Sequence, residues 1–263
     1  MKMREFRLPD GDHNVGRIYV PEAIRSPAGA IIICHGGPGG RQFDPLEADR
    51  WLLNPPWVVV SFDNYACGLT GGHDPEMTFD RWGRDTADVY RFVKSLPEVN
   101  PSRVGLIGIS SGSEAALRCA IDYATPAFIV SIATCASPNY GNWPAQILCQ
   151  DLEALQKGET RDCCGLPFKL GFFRDAVGHA PIYNIHKIEC PVFFLQGGQD
   201  NAKRRGDALM ALEYMTNANR KCKHKEILGG DHGLDNVVDI RRAEIQNWLY
   251  EIGMIQADHA RVS

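Results

Sequence analysis

The chain has no apolar run long enough to cross a bilayer. Its longest, Ala30 to Cys34 and Trp57 to Val60, fall far short of the about 20 residues that a transmembrane helix needs. Nor is there an excess of basic charge. Against 32 Asp and Glu stand 28 Lys and Arg, for a formal net charge of −4, so the basic surface that a nucleic-acid partner demands is missing. The nine cysteines contain no C-x-x-C pair. An odd, scattered set fits reduced thiols in the cytoplasm rather than a disulfide framework. The opening residues, MKMREFRLPDGDHN, put charges where a secretory leader would carry its apolar stretch. Internal repeats and low-complexity tracts are missing as well. With 44% hydrophobic and 23% charged residues, disordered, collagen-like and coiled-coil states are excluded. What remains is a globular chain of 263 residues, a length that suits one large domain or two small ones; single α/β domains often reach this size, and such a chain can bury roughly three quarters of its unfolded surface.

Short β-branched runs alternate with longer helical patterns, which predicts a mostly parallel sheet with helical crossovers. The opening differs: Arg4 to Leu8 and Arg17 to Val20 flank the turn signal Asp10-Gly11-Asp12, so an antiparallel hairpin is expected there. Further strands are expected at Ala30 to Cys34, Val58 to Phe62, Val104 to Ile109, Phe128 to Ile132, Val192 to Leu195 and Glu226 to Leu228. Their near-continuous apolar character suits strands covered on both faces. Phe79, Trp82, Thr86, Tyr90 and Val93 recur at helical spacing before Pro97. Other helices are expected over Glu114 to Tyr123, around Ala208, Leu212 and Met215, and from Leu234 to Ile252. The basic run Arg220, Lys221, Lys223 and Lys225 reads as a solvated strand edge.

Residues 137–187 interrupt this rhythm with some fifty residues lacking a clear strand, too many for a simple loop. They are expected to form a small helical cap inserted in a single domain spanning 1–263, with Trp143, Ile147, Leu148, Leu152 and Leu155 on one helix face and Phe168, Phe172 and Phe173 beyond it. The exposed cap could equally serve as a homodimer contact. The adjacent Cys163 and Cys164 are the one place where redox or metal chemistry is conceivable, against the plainer reading of two buried thiols.

Gly108-Ile109-Ser110-Ser111-Gly112 matches G-x-S-x-G between a strand and a helix. A sharp elbow there needs glycines on either side, and it would leave the Ser110 hydroxyl exposed beside a helix N-terminus. Serine is a weak nucleophile at neutral pH and needs a base with an orienting acid. Asp200, closing FFLQGGQD, and His232, in GGDHG, follow in the order acid then base. Both stand at the carboxyl ends of expected strands, where ligands bind in open α/β sheets. Asp231 and Asp235 compete with Asp200 for the acid role. His35-Gly36-Gly37-Pro38-Gly39-Gly40 follows the strand AIIIC. Neither phosphate-binding pattern, G-x-G-x-x-G nor G-x-x-x-x-G-K-[ST], can be laid over it. It instead suits backbone wrapped around an oxyanion, with donors expected from Ser111 and Gly37, and Gly36 as the near alternative to Gly37. Metal binding is not expected, because His73-Asp74 and Asp231-His232 lack further ligands at a recognisable spacing.

With these motifs together, the chain resembles the α/β-hydrolase superfamily over nearly its whole length. HGGPGG and Asp63-Asn64-Tyr65-Ala66-Cys67-Gly68-Leu69-Thr70 are similar to the HGGPG and DQRGxGxS patterns of prolyl iminopeptidases, with Tyr65 where those have arginine and Thr70 where they have serine. PSRVGLIGISSGSEAAL is closer to dienelactone hydrolases, with Ser110 in place of cysteine, to acyl-CoA thioesterase-like proteins and to prolyl-oligopeptidase catalytic domains. The resemblance implies an α/β-hydrolase fold: a mostly parallel central sheet with an N-terminal antiparallel hairpin, helices on both faces and a small helical cap. It implies a cofactor-free serine hydrolase that acts on a small-molecule acyl substrate through an acyl-enzyme, with Ser110, His232 and Asp200 catalytic. A small carboxylic ester is the expected substrate, under a cap lined by Trp143 and Phe172, with Tyr65 nearby. Thioesterase and aminopeptidase activities are the alternatives, the latter needing Asp151, Glu153 or Glu159 to hold an ammonium group. A ligand-binding protein without turnover is the rival from another class.

Overall fold

The computed structural model describes residues 1–22, 24, 27–37, 57–72, 74–137, 150–163 and 166–255. Ten strands are assigned among them. β1 (Lys2–Arg7) and β2 (Val15–Val20) pair as the expected antiparallel hairpin. β2 then joins β4 (Val58–Phe62), also antiparallel. From β4 onward, β3 (Ala28–Cys34), β5 (Val99–Ile109), β6 (Ile129–Ile132), β9 (Val192–Gly197) and β10 (Cys222–Ile227) lie parallel, in the sheet order β1-β2-β4-β3-β5-β6-β9-β10. Every residue of β3, β4 and β9 is buried, because both faces are covered. β10 closes one edge, and Lys223 and Lys225 sit on it as the basic run predicts.

Strand alternation sorts the core into two layers. Ala30, Ile32, Val58, Val60, Leu106, Val192 and Phe194 face one side. There they meet α1 (Phe79–Lys94), α2 (Ser111–Arg118) and α5 (Ala202–Asn217) through Val89, Val93, Leu117, Ala211 and Met215. Ile31, Ile33, Val59, Ile107, Phe193 and Leu195 face the other, where α6 (Val238–Glu251) packs Ile245, Trp248 and Leu249. α2 starts three residues before the expected helix and passes into a single π turn over Cys119–Tyr123. Ser111 opens the helix because the elbow before it delivers the chain already in position.

The described part of 137–187 holds α3 (Gln150–Gln156), a hairpin of β7 (Arg161–Cys163) with β8 (Leu166–Phe168), and α4 (Leu170–Gly178). The hairpin is not legible in the sequence, because strands of three residues are too short to set up a period-two pattern. Cys164 and the Cys163 side chain lie outside the described residues.

Buried carboxylates clamp the insertion at two places. At its start, Asp207 of α5 accepts the Ala136 and Ser137 N–H groups at 3.2 and 3.3 Å and the Ser137 hydroxyl at 2.5 Å. From within it, Asp175 of α4 accepts the Phe79 and Asp80 N–H groups at 2.8 and 3.1 Å, capping the first turn of α1. Its other oxygen lies 2.7 Å from the buried Arg118 guanidinium, which also pairs with Glu114 on α2 at 2.9 Å. Replacing Asp175 with Ala removes the cap and one partner of a buried cation. A loss of roughly 3–5 kcal/mol is expected in urea unfolding; a shift under 1 kcal/mol would show that the clamp contributes little.

Candidate active site

Loops leaving the carboxyl ends of β3, β5, β9 and β10 build the site. Between β5 and α2, Ser110 adopts φ 55° and ψ −122°, a region that side-chain-bearing residues rarely occupy. Its N–H bonds to Ile132 O at 2.9 Å, and its carbonyl accepts from Ser113 N at 2.8 Å. Neighbouring glycines are required by close backbone contact. A Cβ on Gly112 would lie 2.0 Å from Cys34 O, and one on Gly108 would lie 2.4 Å from Gly112 O. Ser111 is the first residue of α2, so its N–H has no carbonyl one turn back and is free to point at a ligand.

After β3 the chain runs directly against Ser110. A Cβ on Gly36 would lie 2.8 Å from Ile109 O and 3.0 Å from Ser110 Cβ, and Gly37 follows at φ 70°. Pro38, Gly39 and Gly40 lie outside the described residues. His35 holds this loop, a role that nothing in its sequence surroundings signals. Its Nδ1 lies 3.2 Å from Gly36 O and its Nε2 lies 3.1 Å from Asn64 N. A backbone N–H can only donate, so Nε2 is the acceptor and Nδ1 carries the hydrogen. Burial pushes the imidazole pKa below its ordinary value, which keeps the ring neutral in this arrangement.

His232 and Asp200 are brought together by loops stitched to each other. Gly198 N bonds to Ile227 O and Gln199 N to Gly230 O, each at 2.9 Å. A Cβ on Gly197 would lie 2.0 Å from Asp231 O, so only glycine lets the two loops close. His232 Nδ1 lies 2.9 Å from Asp200 Oδ1, with the imidazole 46% and the carboxylate 3% exposed. The carboxylate also accepts Asn201 N–H on Oδ1 and Gln196 Nε2 on Oδ2, both at 2.7 Å. The competing acids are engaged elsewhere: Asp231 accepts Asp235 N at 2.9 Å, and Asp235 pairs with Arg241 at 2.9 Å. Arg241 also donates to Gly233 O at 2.9 Å and so anchors the histidine loop to α6. Among the described residues, His232 bonds to Asp200 and not to Ser110.

The three expected substrate-lining aromatics fare differently. Trp143 lies outside the described residues. Phe172 is 1% exposed and stacks on Phe168, with ring centroids 4.1 Å apart. It is therefore part of the core beneath the insertion rather than a lining residue. An apolar residue on a helix face gives the same pattern in sequence whether that face meets substrate or core. The Tyr65 ring is half-buried under the Arg81 guanidinium, 3.3 Å from its centroid, and it backs onto Gly72. The Tyr65 main chain is held by Asp85 and by the Trp82 indole. Cys135, just past β6, is buried, and burial pushes its thiol up to about 12, which disfavours a thiolate there. Among the described residues no cluster of three His, Cys, Asp or Glu side chains is placed to hold a metal ion.

A mostly parallel sheet with an antiparallel hairpin at one edge, helices on both faces and a serine elbow after β5 define an α/β-hydrolase. Residues 87–233 match the family described as BAAT / acyl-CoA thioester hydrolase C terminal. The matched span covers more than half of the chain and contains Ser110, Asp200 and His232, and the chain belongs to that family of hydrolases. No curated protein matches it in sequence. Among solved structures it is similar to a thermophilic esterase of the planctomycete Thermogutta terrifontis with butyrate bound (TM-score 0.68, 16% identity, 97% of this chain and 95% of that one). It is also similar to Est1E of Butyrivibrio proteoclasticus with ferulic acid bound (TM-score 0.73, 19% identity, 92% and 97%). The acylaminoacyl peptidase of Pyrococcus horikoshii is similar too (TM-score 0.68, 16% identity, 95% of this chain), although the present chain spans only 41% of that protein.

Two outcomes are expected from this geometry. Gly36→Ala pushes the loop off Ser110, so the reactivity of that serine toward a fluorophosphonate should fall about 100-fold, the scale of losing one oxyanion donor; an unchanged labelling rate would exclude the loop from the reaction. Burial, with the Asp12 charge adding to it, pushes the Asp85 carboxyl up to about 8 against the opposing Tyr65 N–H. An acid whose folded pKa is raised contributes stability below its unfolded value of 3.8 that is lost as pH rises toward 8. Asp85→Asn should flatten that part of the fall, as read from urea midpoints at pH 5 and pH 8.

Proposed function

We propose that the protein is a carboxylic ester hydrolase that works through a Ser110–His232–Asp200 triad and an acyl-enzyme intermediate. One observation carries the reading: the 2.9 Å bond from His232 Nδ1 to a buried Asp200 carboxylate, at the same end of the sheet as a serine held at φ 55°. Ser110 Oγ attacks the acyl carbonyl while His232 Nε2 takes its proton, and Asp200 Oδ1 holds the Nδ1–H so that the ring keeps the right tautomer. The Ser110–His232 hydrogen bond forms as substrate binds and excludes water; such bonds are often loose in the free enzyme. The N–H groups of Ser111 and Gly37, or Gly36 in place of Gly37, stabilise the tetrahedral oxyanion. His232 then returns the proton to the leaving oxygen, and water attacks the acyl-enzyme by the same route in reverse.

Thioester cleavage is the second reading, favoured by the acyl-CoA thioester hydrolase family; sulfur as leaving atom needs no change in the machinery. The esterase and Est1E likenesses, with butyrate and ferulic acid in those proteins, support an ester substrate. For the peptidase reading, Glu153 and Glu159 are exposed, and Glu159 faces Arg161 at 3.5 Å, so neither offers a dry site for an ammonium group; the Asp151 side chain lies outside the described residues.

Labelling with a fluorophosphonate should modify Ser110 alone, located by mass spectrometry, and Ser110→Ala should abolish it. The same variant should lower hydrolysis of p-nitrophenyl butyrate at least ~1,000-fold. A folded wild-type protein that takes no label would refute the activated serine. Comparing kcat/KM for p-nitrophenyl butyrate and butyryl-CoA then decides between oxygen and sulfur.

A further inference from the structure

Gln196 occupies a place where a polar residue is not expected. It lies within β9 between Leu195 and Gly197, and it is fully buried. Its Nε2 donates to Asp200 Oδ2 at 2.7 Å, and the orientation of the amide is fixed by chemistry, because an ionised carboxylate only accepts. The amide Oε1 has no hydrogen-bond partner. A buried carbonyl left unpaired lowers stability, so an apolar residue of equal length would serve the core better. The amide is thus costly to the fold and useful only to Asp200.

The other two donors to Asp200 converge on its second oxygen. Its Oδ1 is shared between Asn201 N–H, at 2.7 Å, and His232 Nδ1, at 2.9 Å, and both pull on the same oxygen. Rotation about the Cβ–Cγ bond would move that oxygen out of the imidazole plane, and the donor on Oδ2 opposes the rotation. We propose that Gln196 is a positioning residue that locks the Asp200 carboxylate, and through it the tautomer and orientation of His232. This inference rests on the triad reading above.

The test uses the full chain with Gln196→Met and Gln196→Glu, and Asp200→Asn as reference. Read-outs are the rate of fluorophosphonate labelling at Ser110, kcat and KM for p-nitrophenyl butyrate, and the urea midpoint. Methionine keeps the length and removes both the donor and the orphan carbonyl. Its expected result is a urea midpoint no lower than wild type, kcat about 10-fold down, and KM little changed. Glutamate is isosteric: while protonated, the introduced carboxyl donates as the amide does, and once ionised it repels Asp200. The ratio of variant to wild-type kcat/KM is therefore expected to be highest at acid pH and to fall as pH rises. Wild-type kcat and a flat ratio in these two variants would overturn the inference, as would losses of rate that merely track losses of stability. If Asp200→Asn also leaves the labelling rate unchanged, the triad reading itself fails, an outcome distinct from failure of Gln196 alone.

Discussion

Much of the molecule is arranged so that one backbone conformation persists. Ser110 at φ 55° carries a strain of about 1–3 kcal/mol that local sequence does nothing to relieve. It survives because the chain before it is a buried central strand, the chain after it is a helix, and both are fixed by the sheet. Those neighbours leave no slack: the carbonyls of Cys34 and His35 press on Gly112 and that of Gly112 presses on Gly108. The tight packing of β3 against β5 thereby positions the elbow and the loop after β3 relative to each other. One consequence is that the serine and the oxyanion donors expected around it form one unit, whereas the histidine and its acid form a second, joined to the first through β6.

Loops at this end of the sheet share a device. Asp63 takes Leu69 N–H, Asp85 takes Tyr65 N–H, Asp175 takes two N–H groups of α1, Asp207 takes two at the start of the insertion, and Asp200 takes that of Asn201. Irregular backbone near a core has amide hydrogens that no strand or helix can satisfy. A short carboxylate accepts two or more at once and gains more per bond than a neutral acceptor. The aspartates are thus spread through this end of the sheet as acceptors for loop and helix-start amides, and the one that faces His232 is Asp200. At Asp85 burial outweighs the donors and raises the carboxyl, so this acceptor holds its amide with the charged form disfavoured.

The sequence makes the sheet legible because strands buried on both faces read as continuous apolar runs, as in AIIIC and VVVSF. The Ser110 elbow is legible for a different reason: glycine spacing encodes close backbone approach, which few other constraints imitate. Asp200 and His232 follow from their places after strands. What sequence could not supply depends on side chains meeting across distance. Nothing in FFLQGGQD says that Gln196 turns toward Asp200, although an amide within an apolar strand is a signal in itself. Phe172 reads equally well as a lining or a core residue until its stacking on Phe168 decides. The Asp175 clamp joins residues 57 and 96 positions apart, beyond the reach of any periodic pattern.

That clamp has a bearing on how this fold can vary. An insertion between two strands is ordinarily an exchangeable module, able to be lengthened, trimmed or grafted while the sheet stays indifferent. Here the insertion supplies the acceptor for the first turn of a core helix, and a counter-charge to an arginine on the helix that starts beside Ser110. Ownership is therefore divided: the segment outside the sheet completes a helix inside it. Relatives that replace this segment must bring their own acceptor for those amides or abandon Arg118, so diversification of the region above the site is coupled, residue by residue, to the scaffold beneath it.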